Sequence, residues 1–281
     1  MRFAIAAGDK FDGVFTAFLT AGWQPLKLFT YSMDGRFQGR AVSAEAEKLR
    51  IPVQSSRLMD ADLADLAGRG CEALVVANYR WRIGDWRPHL RYAVNFHPSP
   101  LPEGRGPWPL VRAIQEGRRA WGVSCHKLSP GFDEGDLLAQ YGFPMDAEES
   151  HESLDLRCQL GLRGLAARVA KDLPALWERS VPQDPAKASY WNRASPAERF
   201  LDLKGGVEEA RRHLRAYGLL ECTIQAPGAV LYVRRAVAWR ESHAFVPASL
   251  VHRNDRTLVF ALKDGYVGLL EWSLTPPEAR I

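Results

Sequence analysis

The sequence predicts an α/β protein: a parallel sheet with helices on both faces, followed by a small β-barrel-like domain in the C-terminal part. Three observations carry this. Short apolar runs alternate with stretches of helical spacing, the pattern of strands joined by crossover helices. The 281 residues suffice for two cores rather than one. From about Ala197 the character changes to short alternating runs separated by turns, which suits a small barrel.

The elements follow in order. Arg2–Ala7 is apolar enough for a buried first strand, and Phe11, Val14, Phe15 and Phe18 then recur at helical spacing over Phe11–Ala21. Leu26–Tyr31 reads as the second strand, Ser43–Leu49 as a short helix capped by Ser43, and Val53 as the start of another extended piece. Ala61–Ala67 is helical, and Ala73–Val76 and Val94–Phe96 are buried strands. Pro107–Gln115 reads as a helix opened by proline and closed by Gly117. Gly122–Leu128 and Leu137–Tyr141 are strands, and Ser150–Leu173 is a long helix. Pro182, Pro185 and the polar run Asp184–Lys187 announce a linker, taken as 186–199, between a domain over 1–185 and a smaller one over 200–281. In the second domain Val207–Tyr217 is an amphipathic helix, and Ala229–Val233, Ala236–Trp239, Thr257–Leu262 and Val267–Trp272 are strands.

Composition excludes several classes. A net charge of +4 is mild, compatible with an anionic ligand but short of the clustered basicity of a nucleic-acid binder. Cys71, Cys125, Cys158 and Cys222 lie far apart with no C-x-x-C, so they are expected as reduced thiols in the cytoplasm. No signal peptide and no run approaching about 20 apolar residues is present, so no membrane is expected. Gly8-Asp9-Lys10-Phe11-Asp12-Gly13 does not fit the glycine pattern of a Rossmann dinucleotide site, and no P-loop occurs.

The chemistry gathers between Val94 and Asp136. Asn95 and His97 are two apart on a strand and share a side, and Pro98, Pro100 and Pro102 force an open turn directly after them. Asp133 arrives in a loop built by Pro130, Gly131 and Gly135, where its carboxylate can lean over the strand end. Ligands of parallel sheets bind beyond that edge, which both Asn78–Ile83 and Asn95–Leu101 leave. An amide and an imidazole N–H can steady a carbonyl oxygen as it becomes negative, and a carboxylate can set the imidazole's protonation and help move a proton. On spacing alone the same residues could instead satisfy a proline-rich turn and an Asx turn. His97, His126 and Asp133 lack any metal-site spacing, so no metal is expected.

The string N-F-H-P-S-P-L-P-E-G-R-G, followed 38 residues after Asn95 by the aspartate of G-F-D-E-G-D, resembles the signature of the folate-dependent formyltransferases. That family includes the glycinamide ribonucleotide, methionyl-tRNA and sugar N-formyltransferases. The resemblance implies a Rossmann-like catalytic domain, 10-formyltetrahydrofolate as formyl donor, and Asn95, His97 and Asp133 as the catalytic trio. It sets the donor against two loops, Trp81-Arg82-Ile83 and Ser129-Pro130-Gly131-Phe132, and makes Ser99, Arg105, Trp108 and His126 the acceptor-binding candidates. V-V-A-N-Y-R-W-R-I resembles a segment of the enzyme that formylates UDP-4-amino-4-deoxy-arabinose, and His126 matches a histidine of the sugar and glycinamide ribonucleotide enzymes. The expected acceptor is therefore a small-molecule amine, most readily a nucleotide-linked amino sugar. tRNA is disfavoured: Phe29–Gly39 lacks a long basic insertion and offers only Arg36, with Arg40 next to it, while Arg211, Arg212 and Arg215 read as a solvated helix face. Pro107 stands where the sugar enzyme has a basic residue, so acceptor contacts can differ. Methionyl-tRNA formylation, hydrolysis of the donor and a folate-binding module without catalysis are the alternatives. The second domain can shape the pocket, form a homodimer or do neither.

Overall fold

The first strand, β1 (Arg2–Ala7), lies inside a seven-stranded sheet in the computed structural model, which describes residues 1–31, 41–226 and 228–277. A short 3-10 turn leads into α1 (Asp12–Thr20), then β2 (Gln24–Phe29), α2 (Ala41–Lys48), β3 (Val53–Gln54), α3 (Asp60–Gly68), β4 (Ala73–Ala77) and β5 (Tyr92–His97). After these come α4 (Pro109–Gln115), β6 (Ala120–Lys127), β7 (Leu137–Pro144), α5 (His151–Glu178) and α6 (Val207–Tyr217). The last strands are β8 (Cys222–Ala226), β9 (Ala229–Arg240), β10 (Leu250–Arg253), β11 (Leu258–Ala261) and β12 (Gly265–Ser273). Two units separate by contact. Met1–Pro109, Ala120–Phe143 and Leu156–Trp191 form one, and Leu110–Arg119, Pro144–Asp155 and Asn192–Ile281 the other.

In the first unit the strand order is β3-β2-β1-β4-β5-β6-β7. Strands β1 to β5 pair in parallel, as their alternation with helices predicts, but β6 runs antiparallel to β5. Alternate side chains of β1 serve opposite faces. Ala4 and Ala6 join Leu26, Leu63, Leu66 and Val76 in one core, which includes α3. Phe3 packs on the other side against Phe15 and Phe18 of α1 and against Trp23, at ring separations of 5.6–6.1 Å. Each such buried large apolar side chain contributes about 1.5–3 kcal/mol, so β1 anchors both layers.

Three local expectations are corrected. Ser43 sits inside α2 rather than at its cap, because the Asp9 carboxylate accepts from the Val42 N–H at 2.9 Å and does the capping from outside. Helix α4 begins at Pro109, two residues after Pro107. Helix α5 runs past Leu173 to Glu178, with a break at Asp172 (φ −139°) just before Pro174.

The second unit holds a five-stranded antiparallel sheet, order β10-β11-β12-β9-β8, together with α6. The two runs expected as separate strands from Ala229 and Ala236 are one continuous β9, its pairing with β12 irregular near Glu271. Strands β8 and β10 were not read as strands: C-T-I-Q-A alternates but is only five residues long, and L-V-H-R shows little alternation. The basic face of α6 is largely committed within the unit: Arg211 donates to the Ala238 carbonyl at 2.9 Å, and Arg215 pairs with Glu148 at 2.8 Å. Arg36 and Arg40 lie outside the described residues.

Candidate active site

Strand β5 delivers Asn95 and His97 to the carboxyl edge of the parallel strands, where β4 also ends. The proline-rich loop that follows is pinned from behind: the Ser124 hydroxyl donates to the Ser99 carbonyl at 2.7 Å and accepts from the Leu101 N–H at 3.0 Å. Because β6 is antiparallel to β5, His126 stands directly opposite Asn95. The sequence alone could not supply that pairing, since a parallel β6 would have set other residues there.

Asp133 has φ +57° and projects its carboxylate into the same place. One oxygen, Oδ1, accepts from the Asn95 amide at 3.2 Å and lies 3.5 Å from both His97 Nδ1 and His126 Nε2. The other, Oδ2, accepts from the Gly106 N–H at 2.9 Å. The Asn95 amide also donates to His126 Nε2 at 3.0 Å, while His126 Nδ1–H donates to the Lys127 carbonyl. That network assigns the His126 tautomer, with its proton on Nδ1.

His97 Nε2–H donates to the Gly104 carbonyl at 2.9 Å, so in the neutral ring the free lone pair is on Nδ1, facing Asp133. The imidazole N–H expected for a developing oxyanion is thus held by Gly104. Burial pushes the His97 ring toward neutrality, against the opposing pull of Asp133 and the Gly104 carbonyl. Burial also raises the Asp133 carboxyl, but His97, His126 and the Gly106 N–H outweigh it and hold the group well below the usual carboxylate range. At rest the cluster is an ionised aspartate beside a neutral imidazole.

Two glycines make the placement feasible. A Cβ on Gly106 (φ +97°) would stand 2.7 Å from the Trp191 carbonyl, and one on Gly135 would collide with the Lys127 carbonyl.

The two loops expected to face a donor are joined to each other. The Arg82 guanidinium donates to the Pro130 carbonyl and lies 5.6 Å from the Phe132 ring centroid. Phe132 is 50% exposed. Trp81 packs edge-on against Tyr31 and Tyr79, at 5.9 and 5.3 Å, and Ile83 lies against the core of the sheet. Ser129 closes its own turn on the Gly131 carbonyl. The pair of loops therefore offers aromatic rings and backbone groups at one edge, which suits a flat heteroaromatic ligand. Among the described residues, no group of three or more His, Cys, Asp or Glu is placed to hold a metal ion.

The acceptor candidates fare unequally. His126 belongs to the cluster. Ser99 is fully buried, its Oγ without a hydrogen-bond partner. Arg105 spends both Nε and Nη2 on the Gln183 side-chain oxygen, at 3.0 and 2.8 Å. Trp108 is half-buried, its backbone N–H donating to the Trp191 carbonyl.

Sequence reasoning missed the segment Val181–Trp191, whose first residues read as a linker. It forms a strap along the site. Val181 pairs with Leu137, the Ser189 carbonyl and hydroxyl accept from Arg105 and Gly104, and Tyr190 pairs with Arg105. A Cβ on Gly106 would also meet the half-exposed Tyr190 ring at 3.1 Å, so that ring walls the side of Asp133. The signal was available in A-S-Y-W, since two aromatics in succession are not linker chemistry.

Comparison with known proteins bears on this geometry. Residues 38–161 match the family described as formyl transferase. The methionyl-tRNA formyltransferase of Bordetella avium is 28% identical over 91% of this chain and 77% of its own length. Among solved structures, HypX from Aquifex aeolicus superposes with a TM-score of 0.69 at 16% identity, covering 97% of this chain; the chain spans 44% of that longer protein. The N-formyltransferase from Helicobacter canadensis, solved with folinic acid and dTDP-3-aminofucose, gives 0.68 at 13% identity, covering 97% of this chain and 99% of that one. The formyl transferase match thus spans the segment that holds the cluster, and the chain is similar over most of its length to a formyltransferase enzyme. The Bordetella avium relative is a methionyl-tRNA formyltransferase, so the exclusion of tRNA drawn from the sequence has no support.

Proposed function

We propose that this enzyme moves a formyl group from a reduced folate, 10-formyltetrahydrofolate, to a primary amine. The observation that carries the reading is the convergence of Asn95, His97 and Asp133 at the carboxyl edge of the sheet, beside two loops tied by Arg82. The donor supplies an activated one-carbon acyl group. The loops at 81–83 and 129–132 would hold its ring system.

The chain's own residues do the rest. Asn95 serves the carbonyl oxygen as it gains charge by turning one of its two N–H groups to it from Asp133 or His126; a single such donor is worth about 3–4 kcal/mol in acyl transfer. His97 accepts a proton at Nδ1, the nitrogen left free by the Gly104 contact. Asp133 then faces an imidazolium at 3.5 Å instead of a lone pair, so the charge pair strengthens as the amine loses its proton, and His97 returns that proton to the folate nitrogen as its bond to the formyl carbon breaks. Burial of His97 keeps water from competing for its contacts.

For the acceptor we favour a nucleotide-linked amino sugar. The N-Y-R-W-R-I segment and His126 support it, as does the Helicobacter canadensis enzyme solved with dTDP-3-aminofucose, a nucleotide-linked amino sugar. Methionyl-tRNA is the second reading, favoured by the sequence relatives. Four buried free thiols fit a reducing compartment, the cytoplasm, and among the described residues no helix is long and apolar enough to cross a membrane.

The experiment is formyl transfer from 10-formyltetrahydrofolate, read as release of free tetrahydrofolate, with nucleotide-linked amino sugars in one arm and charged initiator tRNA in the other. Turnover in the sugar arm alone supports the first reading. Turnover in the tRNA arm alone, falling steeply with salt, selects the second. Formate release with no amine present would overturn both.

A further inference from the structure

We propose that Gln183 is a positioning residue for the transfer step, holding the Asp133 loop in register with Asn95 and His97, and that Arg105 orients it. The inference rests on the reading above and deepens it. Gln183 Nε2 donates to the Asp133 carbonyl at 2.7 Å and to the Gly135 carbonyl at 2.8 Å. These contacts bracket the loop on both sides of Glu134. Its Oε1 is gripped by Arg105 Nε and Nη2.

A side-chain amide has a donor end and an acceptor end, and Arg105 has donors only. With two carbonyls on one side and a guanidinium on the other, a single amide orientation satisfies all four contacts. Arg105 thereby fixes which way Gln183 faces, which explains why this candidate acceptor contact turns inward instead.

The need for such a clamp follows from the backbone. Asp133 adopts φ +57°, a conformation an aspartate reaches at a cost, and its loop is half exposed with Phe132 at the surface. Nothing in the sheet ladder holds that turn. Gln183 reaches it from the strap, whose own ends are fixed at Leu137 and at Gly104–Arg105. The strap therefore ties the aspartate loop to the loop that contributes the Gly106 N–H to the same carboxylate.

The test uses the full chain with Gln183→Met, which keeps reach and removes every hydrogen bond. We expect kcat to fall about 10–100-fold with KM for donor and acceptor within about twofold, the signature of lost alignment. Crystal structures of variant and wild type should show Asp133 out of hydrogen-bonding reach of Asn95 in the variant alone. Should Gln183→Met fail to fold, Gln183→Asn, one methylene shorter, takes its place in the same measurements. An unmoved Asp133 loop, or kcat within twofold of wild type, overturns the proposal. If the wild type transfers formyl to no amine, the functional reading falls, and the crystal comparison still decides the role of Gln183.

Discussion

Two stretches of the first unit meet at Asp133, and they are built on opposite principles. Tyr92–His97 is a strand with neighbours on both sides, so its side chains are aimed by the sheet's pleat and register. The strap, Val181–Trp191, has no ladder. It is fixed by single bridges at Val181 and Tyr190, by side-chain bonds at Gln183 and Ser189, and by the burial of Trp191. The strand contributes groups able to do chemistry, whereas the strap contributes almost none and decides where one of them stands. Damage to the strand should remove catalysis outright, and damage to the strap should degrade it in steps.

The largest effect should come from the shared endpoint. Asp133→Asn keeps the shape and removes the charge that would face an imidazolium, and a loss of about 10³-fold in kcat with intact donor binding is expected. Steady-state kinetics beside a donor-binding titration checks it, and near-native turnover would dissolve the comparison. Next is Gly106→Ala, which puts a methyl against the Trp191 carbonyl at a position with φ +97°. We expect about a 10²-fold loss of turnover and a destabilisation above about 1 kcal/mol, measured by urea melts, because the strap must lift to admit it.

Acid should act on both stretches through their ionisable partners. His97 is held toward its neutral form, so the unfolded chain binds a proton as pH falls through about 6.5 while the native chain resists, and stability drops. His213, also pushed down by burial, adds to the same window from the second unit. Asp133, held below the usual range, contributes stability that is present above about pH 4 and is lost as pH falls further. Urea midpoints should therefore be flat between about pH 7 and 8 and decline in two stages below it, the upper stage shrinking in His97→Gln. The smallest effect should be Ser99→Ala. Its hydroxyl is buried and unpartnered, so removing it should change stability by less than about 1 kcal/mol and leave acceptor KM unchanged. A large rise in KM would restore Ser99 as an acceptor contact.

The parallel part of the sheet was legible because its strands are continuous apolar runs and its helices have regular periodicity, a pattern that survives without tertiary information. Asn95, His97 and Asp133 stood out because prolines and glycines around them dictate loops at a strand end. The antiparallel β6 was not legible, since a short apolar run carries no direction, and with it the Asn95–His126 pairing was lost. The strap was hidden for a different reason. Gln183 does its work through two backbone carbonyls and one arginine far away in the chain, and no local pattern marks a glutamine for that. The contact of Arg105 with Gln183 was hidden by the same blindness, its partner being 78 residues away.

The indole of Trp191 lies on that of Trp121 with centroids 5.7 Å apart and planes 10° from parallel, one ring on the strap and the other on β6. Two stacked indoles couple their excited states, so the molecule carries a built-in optical gauge. The part of the exciton couplet in circular dichroism that is lost in Trp191→Phe reports whether the strap is seated, with no ligand, label or turnover required.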